Sequence, residues 1–466
     1  MFRKTSPQSS VFDVNSIMLE ALPQDDWSYT YKDKILPLLD EEAFKHFYSE
    51  TTGQPNGPIK AMVSLLIFMG LEKLTWRATE YLFGRRLDGL NATNTPLGEA
   101  SVDHTTIFKF YQRLQADDTA IELFVKLTDA FVKLCGTSLN MQRSDSFFIY
   151  ENIKGQLSQD YLGKDFDLTE KDKELAHKKV SLMAQDLYQL ISAFENHKQI
   201  QHYETFKILS TVFSQQCEVK ERTDSTPEII IKEKPDTDAI CTPHNPEARY
   251  VRKGKQRITG DKAVVTETCN PENKTQFITD IDVNEATKHD TKDQPEIQDR
   301  LIDHHFNPEK QYEDAGFVNG ETILDSHEKG IELQGPTAGH SQSFETYTDK
   351  ERPLDAGDFD TTIAEGGHEL IVNKCPNNQA PKEQKRSTKT GKMIVHFDPG
   401  VCGACSFAQA HRCPVKVGKR VATYTVDETE YVGALRHHRY MSEPEYRKEC
   451  ATRAGVEATV SELTRT

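Results

Sequence analysis

The chain has 466 residues, of which 36% are apolar and 28% charged, and its formal net charge is −16. This composition fits a soluble globular protein of two or three domains better than a wholly disordered chain. The longest apolar run, at residues 61–71, is far shorter than the roughly 20 residues that span a bilayer. No export signal opens the sequence, so we expect a cytoplasmic protein with no membrane partner. The acidic charge disfavours a uniformly basic surface but allows a local positive track.

A bundle of packed helices is predicted between residues 58 and 136. The first helix is expected at residues 59–71, behind the turn-forming stretch 53–57, and the second near Thr75. A helix-turn-helix arrangement is compatible with this spacing.

Two caps delimit the last two helices of the bundle. Asp103 is placed to cap the third helix, and Gly136 is a natural C-terminal cap for the fourth. The third helix is predicted to bury Ile107, Phe108, Tyr111 and Leu114, and the fourth Ile121, Phe124, Leu127, Phe131 and Leu134. The third helix, at residues 104–114, is the best candidate for a helix that reads DNA.

A mixed sheet is predicted after this bundle. It begins with a strand at residues 140–149 and continues with a half-buried hairpin made of strands at 262–268 and 275–283. Residues 310–313 are polar and form a poor candidate for a buried strand. Residues 337–392 are polar and low in aliphatic side chains, which predicts a loosely packed insertion.

Three acidic residues are singled out by their local context. Asp145 lies in the first predicted strand, and Asp314 stands at a strand end before the turn at Gly316. Glu457 lies in a predicted C-terminal helix. In a chain with 73 acidic residues, most carboxylates are solvated or cap helices, so residue type alone selects none of them.

Several segments, in this order, resemble the insertion-sequence DDE transposases. Gly53-Gln54-Pro55 and residues 101–107 are similar to the helical, InsH-like N-terminal domain of that family. Asp145, with Asn152 shortly after it, matches the first catalytic aspartate. Residues 314–321 match the segment of the second aspartate, and residues 453–461 match that of the final glutamate.

The resemblance implies an α+β or α/β fold, in which a helical domain precedes a ribonuclease-H-like mixed-sheet core with a polar, cysteine-containing insertion. A DNA-binding helical domain would occupy residues 1–136, and the first part of the core residues 137–336. The insertion would occupy residues 337–440. A C-terminal helix with the third acidic residue would occupy residues 441–466.

The resemblance also implies a function. Asp145, Asp314 and Glu457 would hold two Mg²⁺ ions, which prefer oxygen ligands and promote phosphodiester cleavage. The protein would bind the ends of its element and its target DNA, cut and join them, and act as a homo-oligomer on DNA.

Two further hypotheses come from other classes of protein. Only nine residues follow Glu457, whereas the resemblance implies a longer C-terminal region, so a shortened chain is expected. Such a chain could be a catalytically inactive remnant that only binds DNA. The third hypothesis is a zinc-dependent interaction module without affinity for DNA.

Nine cysteines in a chain without an export signal predict reduced thiols. The cluster Cys402-x2-Cys405-x7-Cys413 suits a structural Zn²⁺ site, and similar cysteines occur in the insertion of related transposases. Cys375, His396 and His411 are candidates for the fourth ligand, and we assign Cys375. The simpler interpretation is a set of reduced thiols near turns.

A basic stretch is the predicted contact to DNA phosphates. It consists of Arg252, Lys253, Lys255 and Arg257. A charge run of this kind also occurs on ordinary solvated surfaces, so the stretch is a hypothesis for mutagenesis.

Overall fold

The computed structural model describes residues 2, 21–49, 51–53, 55–96, 102–150, 170–220, 227–232, 238–242, 245–253, 256–337, 352–363 and 370–464. The chain divides into two compact units. The first comprises Met1–Ser138, Pro271–Thr279 and Ser461–Thr466, and the second Leu139–Asn270 and Asp280–Val460. None of the helices in the described ranges combines the length and apolarity needed to cross a membrane.

The first unit is helical, as predicted. Short helical turns between residues 27 and 47 precede the α-helices α1 (Ile59–Glu72), α2 (Trp76–Phe83), α3 (Leu87–Ala92), α4 (His104–Gln115) and α5 (Thr119–Cys135). Asp103 accepts hydrogen bonds from the backbone N–H groups of Thr105 and Thr106, which confirms the predicted cap of α4. Gly136 ends α5 in the left-handed conformation with a φ of 62°, so the predicted C-terminal cap is also confirmed.

The buried face of α4 includes Ile107 and Leu114, as predicted, but differs from the prediction at Phe108. Phe110 is only 1% exposed, whereas Phe108 is 41% exposed. The reason is tertiary, because Phe44 from the preceding short turns packs on Phe110 with ring centroids 5.6 Å apart. Phe108 instead contacts Trp76 of α2. Both faces have helical spacing, so periodicity alone could not choose between them.

The predicted core face of α5 is wrong at its two ends. Ile121 is 57% exposed and Leu134 is 58% exposed. Leu123 and Leu127 are the side chains of α5 that pack against the core of the helical unit. The prediction for Leu127 is therefore confirmed, and Val132, which was not predicted, is also buried.

A mixed sheet forms the centre of the second unit. Its strands are β1 (Met141–Tyr150), β4 (Arg249–Lys253), β5 (Gln256–Thr268), β6 (Ile278–Glu285), β7 (Lys310–Tyr312) and β8 (Glu332–Gln334), while β2 (Cys217–Lys220) and β3 (Glu228–Ile231) pair separately. The order is β4-β5-β1-β7-β8, and β6 also pairs with β5, as the predicted hairpin requires. β5 is antiparallel to β1, whereas β7 and β8 continue the sheet in the parallel sense.

Helices complete the connections of this unit. α6 (Glu170–Phe194) and α7 (Glu204–Gln216) precede β2, α8 (Asp290–Asp303) joins β6 to β7, and α9 (Gly320–Glu328) joins β7 to β8. These last two connections are the helical crossovers that parallel strands require. The described structure is thus of the α+β type, with helices and a mixed sheet.

The strand β7 lies inside the sheet although its sequence is polar. Gln311 is fully buried; it donates to the Ser144 hydroxyl at 3.0 Å and accepts a hydrogen bond from Gln298 at 2.9 Å. A buried polar side chain is tolerated when such partners satisfy it. The prediction of a poor strand at residues 310–313 is therefore wrong.

A small second sheet follows β8. β9 (Asp360–Ile363) pairs with β10 (Leu370–Lys374), and β11 (Glu383–Arg386), β12 (Met393–Phe397), β13 (Lys416–Val417) and β14 (Ala422–Val426) form a sheet in the order β11-β12-β14-β13. Phe359 stacks on Tyr424 with centroids 4.2 Å apart, inside a core that includes Val395 and Phe397. Within the predicted insertion, Phe359, Leu370 and Val372 belong to this core, so the prediction of loose packing is wrong at these residues.

The remaining helices lead back to the central sheet. The short helices α10 (Pro399–Ala404) and α11 (Ser406–Gln409) lie between β12 and β13, and α12 (Glu428–Ser442), α13 (Pro444–Cys450) and α14 (Val456–Leu463) follow β14. α12 packs so closely on α9 that a Cβ atom at Gly320 would overlap the backbone carbonyl of Thr429. Glycine is required at this crossing.

Candidate active site

Asp145 lies on β1, and Asp314 follows the neighbouring strand β7. β1 and β7 are parallel, and their last paired residues are Arg143 and Tyr312. Each aspartate lies two residues beyond that pair, so both side chains leave the same face of the sheet. The charge of Asp314 acts on Asp145.

The charge of Glu457 also acts at this position. Burial raises the pKa of Asp145 above its ordinary value, while the Ser146 backbone N–H lowers it. The charges of Asp314 and Glu457 raise the pKa of Asp145 further, and Arg453 lowers it. The charges of two carboxylates far away in sequence therefore reach Asp145.

A fourth carboxylate, Asp290, lies beside the turn at Gly316. The Gly316 N–H donates to Oδ1 of Asp314 at 2.6 Å. A Cβ atom at position 316 would stand 2.7 Å from Oδ2 of Asp290 and 2.9 Å from Oδ1 of Asp314. Sequence reasoning missed Asp290, although an aspartate at the first position of a helix was a recognisable signal.

Lys262 balances this fourth charge. It is 2% exposed, and its Nζ lies 2.8 Å from Oδ1 of Asp290 and 2.5 Å from Oδ2 of Asp293. Ser146 also donates to Asp290 at 3.2 Å. A lysine inside an otherwise apolar buried strand signals an ion pair, because an unpaired buried charge is costly. The charge of Asp290 is therefore balanced by Lys262.

The segment that carries Glu457 is held on the sheet by an ion pair. Arg143 binds Glu267 across β1 and β5 at 2.5 Å and donates to the Thr452 carbonyl at 2.9 Å. Thr459 of α14 donates to the other oxygen of Glu267 at 2.5 Å. Gly455 packs on the Arg143 guanidinium so closely that a Cβ atom there would overlap it. These contacts hold Thr452 before Glu457 and Thr459 after it on the sheet.

No three of Asp145, Asp290, Asp314 and Glu457 have carboxylate oxygens that all lie within 4.8 Å of one another. Among the described residues, the group whose metal-ligand atoms lie within 4.8 Å of one another is Asp355, Asp358 and His438. In that group Asp358 binds Arg352 at 2.5 Å and His438 binds Asp355 at 2.9 Å. Its charges are balanced by protein groups, so it has no need of a cation.

We expect Glu313→Gln to stabilise the protein at neutral pH. Complete burial raises the pKa of Glu313 well above its ordinary value; the Ser144 hydrogen bond lowers the pKa, whereas the charge of Asp314 raises it. A raised folded-state pKa means that folding favours the protonated acid. Stability is therefore lost as the pH rises from the ordinary pKa through the raised one.

Urea unfolding between about pH 5 and pH 8 measures this effect. The stability advantage of Glu313→Gln over the parent should grow as the pH rises. Glu321→Gln, at an exposed position on α9, is the control. Parallel stability curves for the parent and Glu313→Gln would contradict the prediction.

The predicted basic stretch lies on the β4–β5 hairpin. Arg252 is exposed and faces Arg257 in the strand register. Lys253 also lies on β4, whereas Lys255 lies outside the described residues.

The predicted zinc ligands Cys375, Cys402, Cys405 and Cys413 line one cavity beside the small second sheet.

One comparison with known proteins gives a match. Residues 19–113 match the family model described as Transposase domain (DUF772). The match covers about a fifth of the chain and lies within the helical first unit. No curated protein and no solved structure matches the chain. The helical unit therefore carries a segment that matches a transposase domain, and this match supports a transposase function.

Proposed function

We propose that the protein is a Mg²⁺-dependent DNA transposase that cuts DNA at the ends of its element and joins those ends to a target. The domain match supports the class of protein. The observation that carries the catalytic part is the influence of Asp314 and Glu457 on the ionisation of Asp145. The charges of two residues so far away in sequence can reach Asp145 only in a fold that brings them near it.

The sheet topology supports a ribonuclease-H-like core. β1 is central, with the antiparallel strand β5 on one side and the parallel strands β7 and β8 on the other. Folds of this kind place the first acidic residue on a central strand, the second at the end of a neighbouring strand and the third on a packing helix. Asp145 lies on β1, Asp314 two residues after β7 and Glu457 on α14, and these positions support the proposal.

The donor set fits Mg²⁺, because all three candidate ligands are carboxylates. Crowded carboxylates repel one another, and a hard divalent cation would relieve that repulsion. Asp145, Asp314 and Glu457 would hold the metal. When bound, Mg²⁺ supplies activation of the attacking oxygen and stabilisation of the leaving oxygen of a phosphodiester.

The reaction proceeds by two exchanges at phosphorus. In the first, the oxygen of water bonds to phosphorus, the bond from phosphorus to O3′ breaks, and O3′ leaves as a hydroxyl. In the second, that 3′-hydroxyl attacks a target phosphodiester and displaces its O3′ in turn. Arg252, Lys253, Lys255 and Arg257 would contact backbone phosphates, and a homo-oligomer would hold both ends.

The test uses the full chain and DNA fragments that carry the genomic sequence on either side of its own gene. We expect strand cleavage at fixed positions with Mg²⁺ and none with a chelator. Selective binding without cleavage would overturn the enzymatic proposal and favour the DNA-binding remnant. Neither binding nor cleavage would leave the zinc-dependent interaction module.

A further inference from the structure

Four cysteines surround one small cavity beside the sheet β11-β12-β14-β13. Cys375, Cys402, Cys405 and Cys413 line a space of about 20 Å³. All four are half-buried free thiols. A space of this size accommodates about one water-sized particle, so a single ion fits between the thiols.

The cysteines reach the cavity on separate tight turns. Cys375 directly follows β10, and its carbonyl accepts the N–H of Asn378 at 2.7 Å. The Cys405 N–H donates to the Cys402 carbonyl at 3.2 Å, and Cys413 binds the carbonyl of residue 407 through its N–H at 3.2 Å. Each turn is ordered by local hydrogen bonds. Together the turns bring the four cysteine side chains to the same cavity.

The structure distinguishes between the candidates for a fourth ligand. Cys375 lines the cavity together with the other three cysteines. His396 alternates along β12 with the buried residues Val395 and Phe397, so its side chain lies on the opposite face, 3.8 Å from Glu383. His411 is exposed and does not line the cavity. The candidate ligands that line the cavity are therefore four cysteines.

The small sheet is built from short strands. β11 has four residues, β12 and β14 have five each, and β13 has two. Short strands bury little apolar area, and small protein regions of this type are commonly stabilised by a structural metal. Cys375, Cys402 and Cys413 pack directly against the core of this region.

We propose that Cys375, Cys402, Cys405 and Cys413 bind one structural Zn²⁺ in a closed tetrahedral site. Zinc–sulfur bonds of about 2.3 Å place the sulfurs about 3.8 Å apart. In the present structure no three of these sulfurs lie within 4.8 Å of one another, so binding draws the thiols inward. The site lies on residues other than the acidic cluster and does not depend on transposase activity.

The first test measures zinc in the full chain purified under reducing conditions without added metal. We expect about one zinc per chain in the parent and in Cys135→Ser, an exposed matched thiol control, and less than about 0.2 in Cys375→Ser. His411→Ala should keep its zinc. A parent without zinc, or zinc lost from His411→Ala but kept in Cys375→Ser, would overturn the assignment.

The second test remains decisive if the cysteine variants fail to fold. The parent is stripped of metal and titrated with Co²⁺, which should give the thiolate charge-transfer and intense visible bands of a tetrahedral sulfur site. Alkylation followed by mass spectrometry should show that Zn²⁺ protects these four cysteines and leaves Cys135 reactive. Equal alkylation with and without Zn²⁺, together with no cobalt bands, would refute the proposal.

Discussion

Asp145→Asn should abolish Mg²⁺-dependent DNA cleavage, with a loss of roughly 10³-fold or more, while the protein stays folded. The side chain keeps its size and hydrogen-bonding capacity but loses the charge with which it would hold the cation. DNA binding should be retained because Asp145 is half-buried in the sheet. A gel assay of cleavage and a separate binding assay measure the two effects.

Thermal stability provides an independent signature of the same change. Burial raises the pKa of Asp145, and the charges of Asp314 and Glu457 contribute to the increase. Ionised Asp145 therefore opposes folding, and this cost appears as the pH rises from the ordinary pKa through the raised one. At pH 7, Asp145→Asn should melt at the parental temperature or above it.

The matched control is Asp303→Asn, at the exposed C-terminal end of α8. It removes the same charge from the same unit and should cleave DNA at the parental rate. If Asp145→Asn cleaves as well as the parent, the DDE assignment fails. If it melts far below the parent, the residue is structural rather than catalytic.

Gly455→Ala is expected to reduce kcat by about 10² while leaving the KM for DNA unchanged. The added methyl would overlap the guanidinium of Arg143, which must then move away from Thr452 and Glu267. A displacement of about 1 Å at a reacting group can cost about 10²-fold in rate. Single-turnover cleavage at saturating and limiting DNA separates kcat from KM.

A double-mutant cycle identifies the cause of this loss. In an Arg143→Ala background the guanidinium is gone, so adding Gly455→Ala should cost little more. Gly70→Ala, where a methyl meets nothing within 4 Å, is the control for adding a side chain to a glycine. Losses that simply multiply in the double variant would show that Arg143 and Gly455 do not position Glu457 together.

The sequence predicted best what is determined locally. Caps such as Asp103 and Gly136 act on neighbouring backbone groups, and the β5–β6 hairpin follows from two apolar runs around a turn. The burial of Gln311 could not be predicted in this way. Its partner Ser144 is 167 residues away in the chain, so only the folded sheet shows that its polar groups are satisfied.

The candidate site shows the same limit. The resemblance singled out Asp145 and Asp314, but how far along the strand direction each residue lies depends on the register of β1 against β7. Asp290 and Lys262 were missed because each looks ordinary until the other is beside it. Which of several helical faces is buried, as at Phe108 and Phe110, likewise depends on neighbours from other segments.

The position of the small cysteine-bearing sheet has a consequence for biosynthesis. Asp145 and Asp314 precede this sheet in the chain, and Glu457 follows it. On the ribosome, the two aspartates are made before the 142 residues that separate Asp314 from Glu457. The three repelling charges can meet only after that sheet has emerged and the chain has turned back through α12. If Asp145, Asp314 and Glu457 hold the metal as proposed, a nascent chain has no complete metal site until synthesis reaches α14.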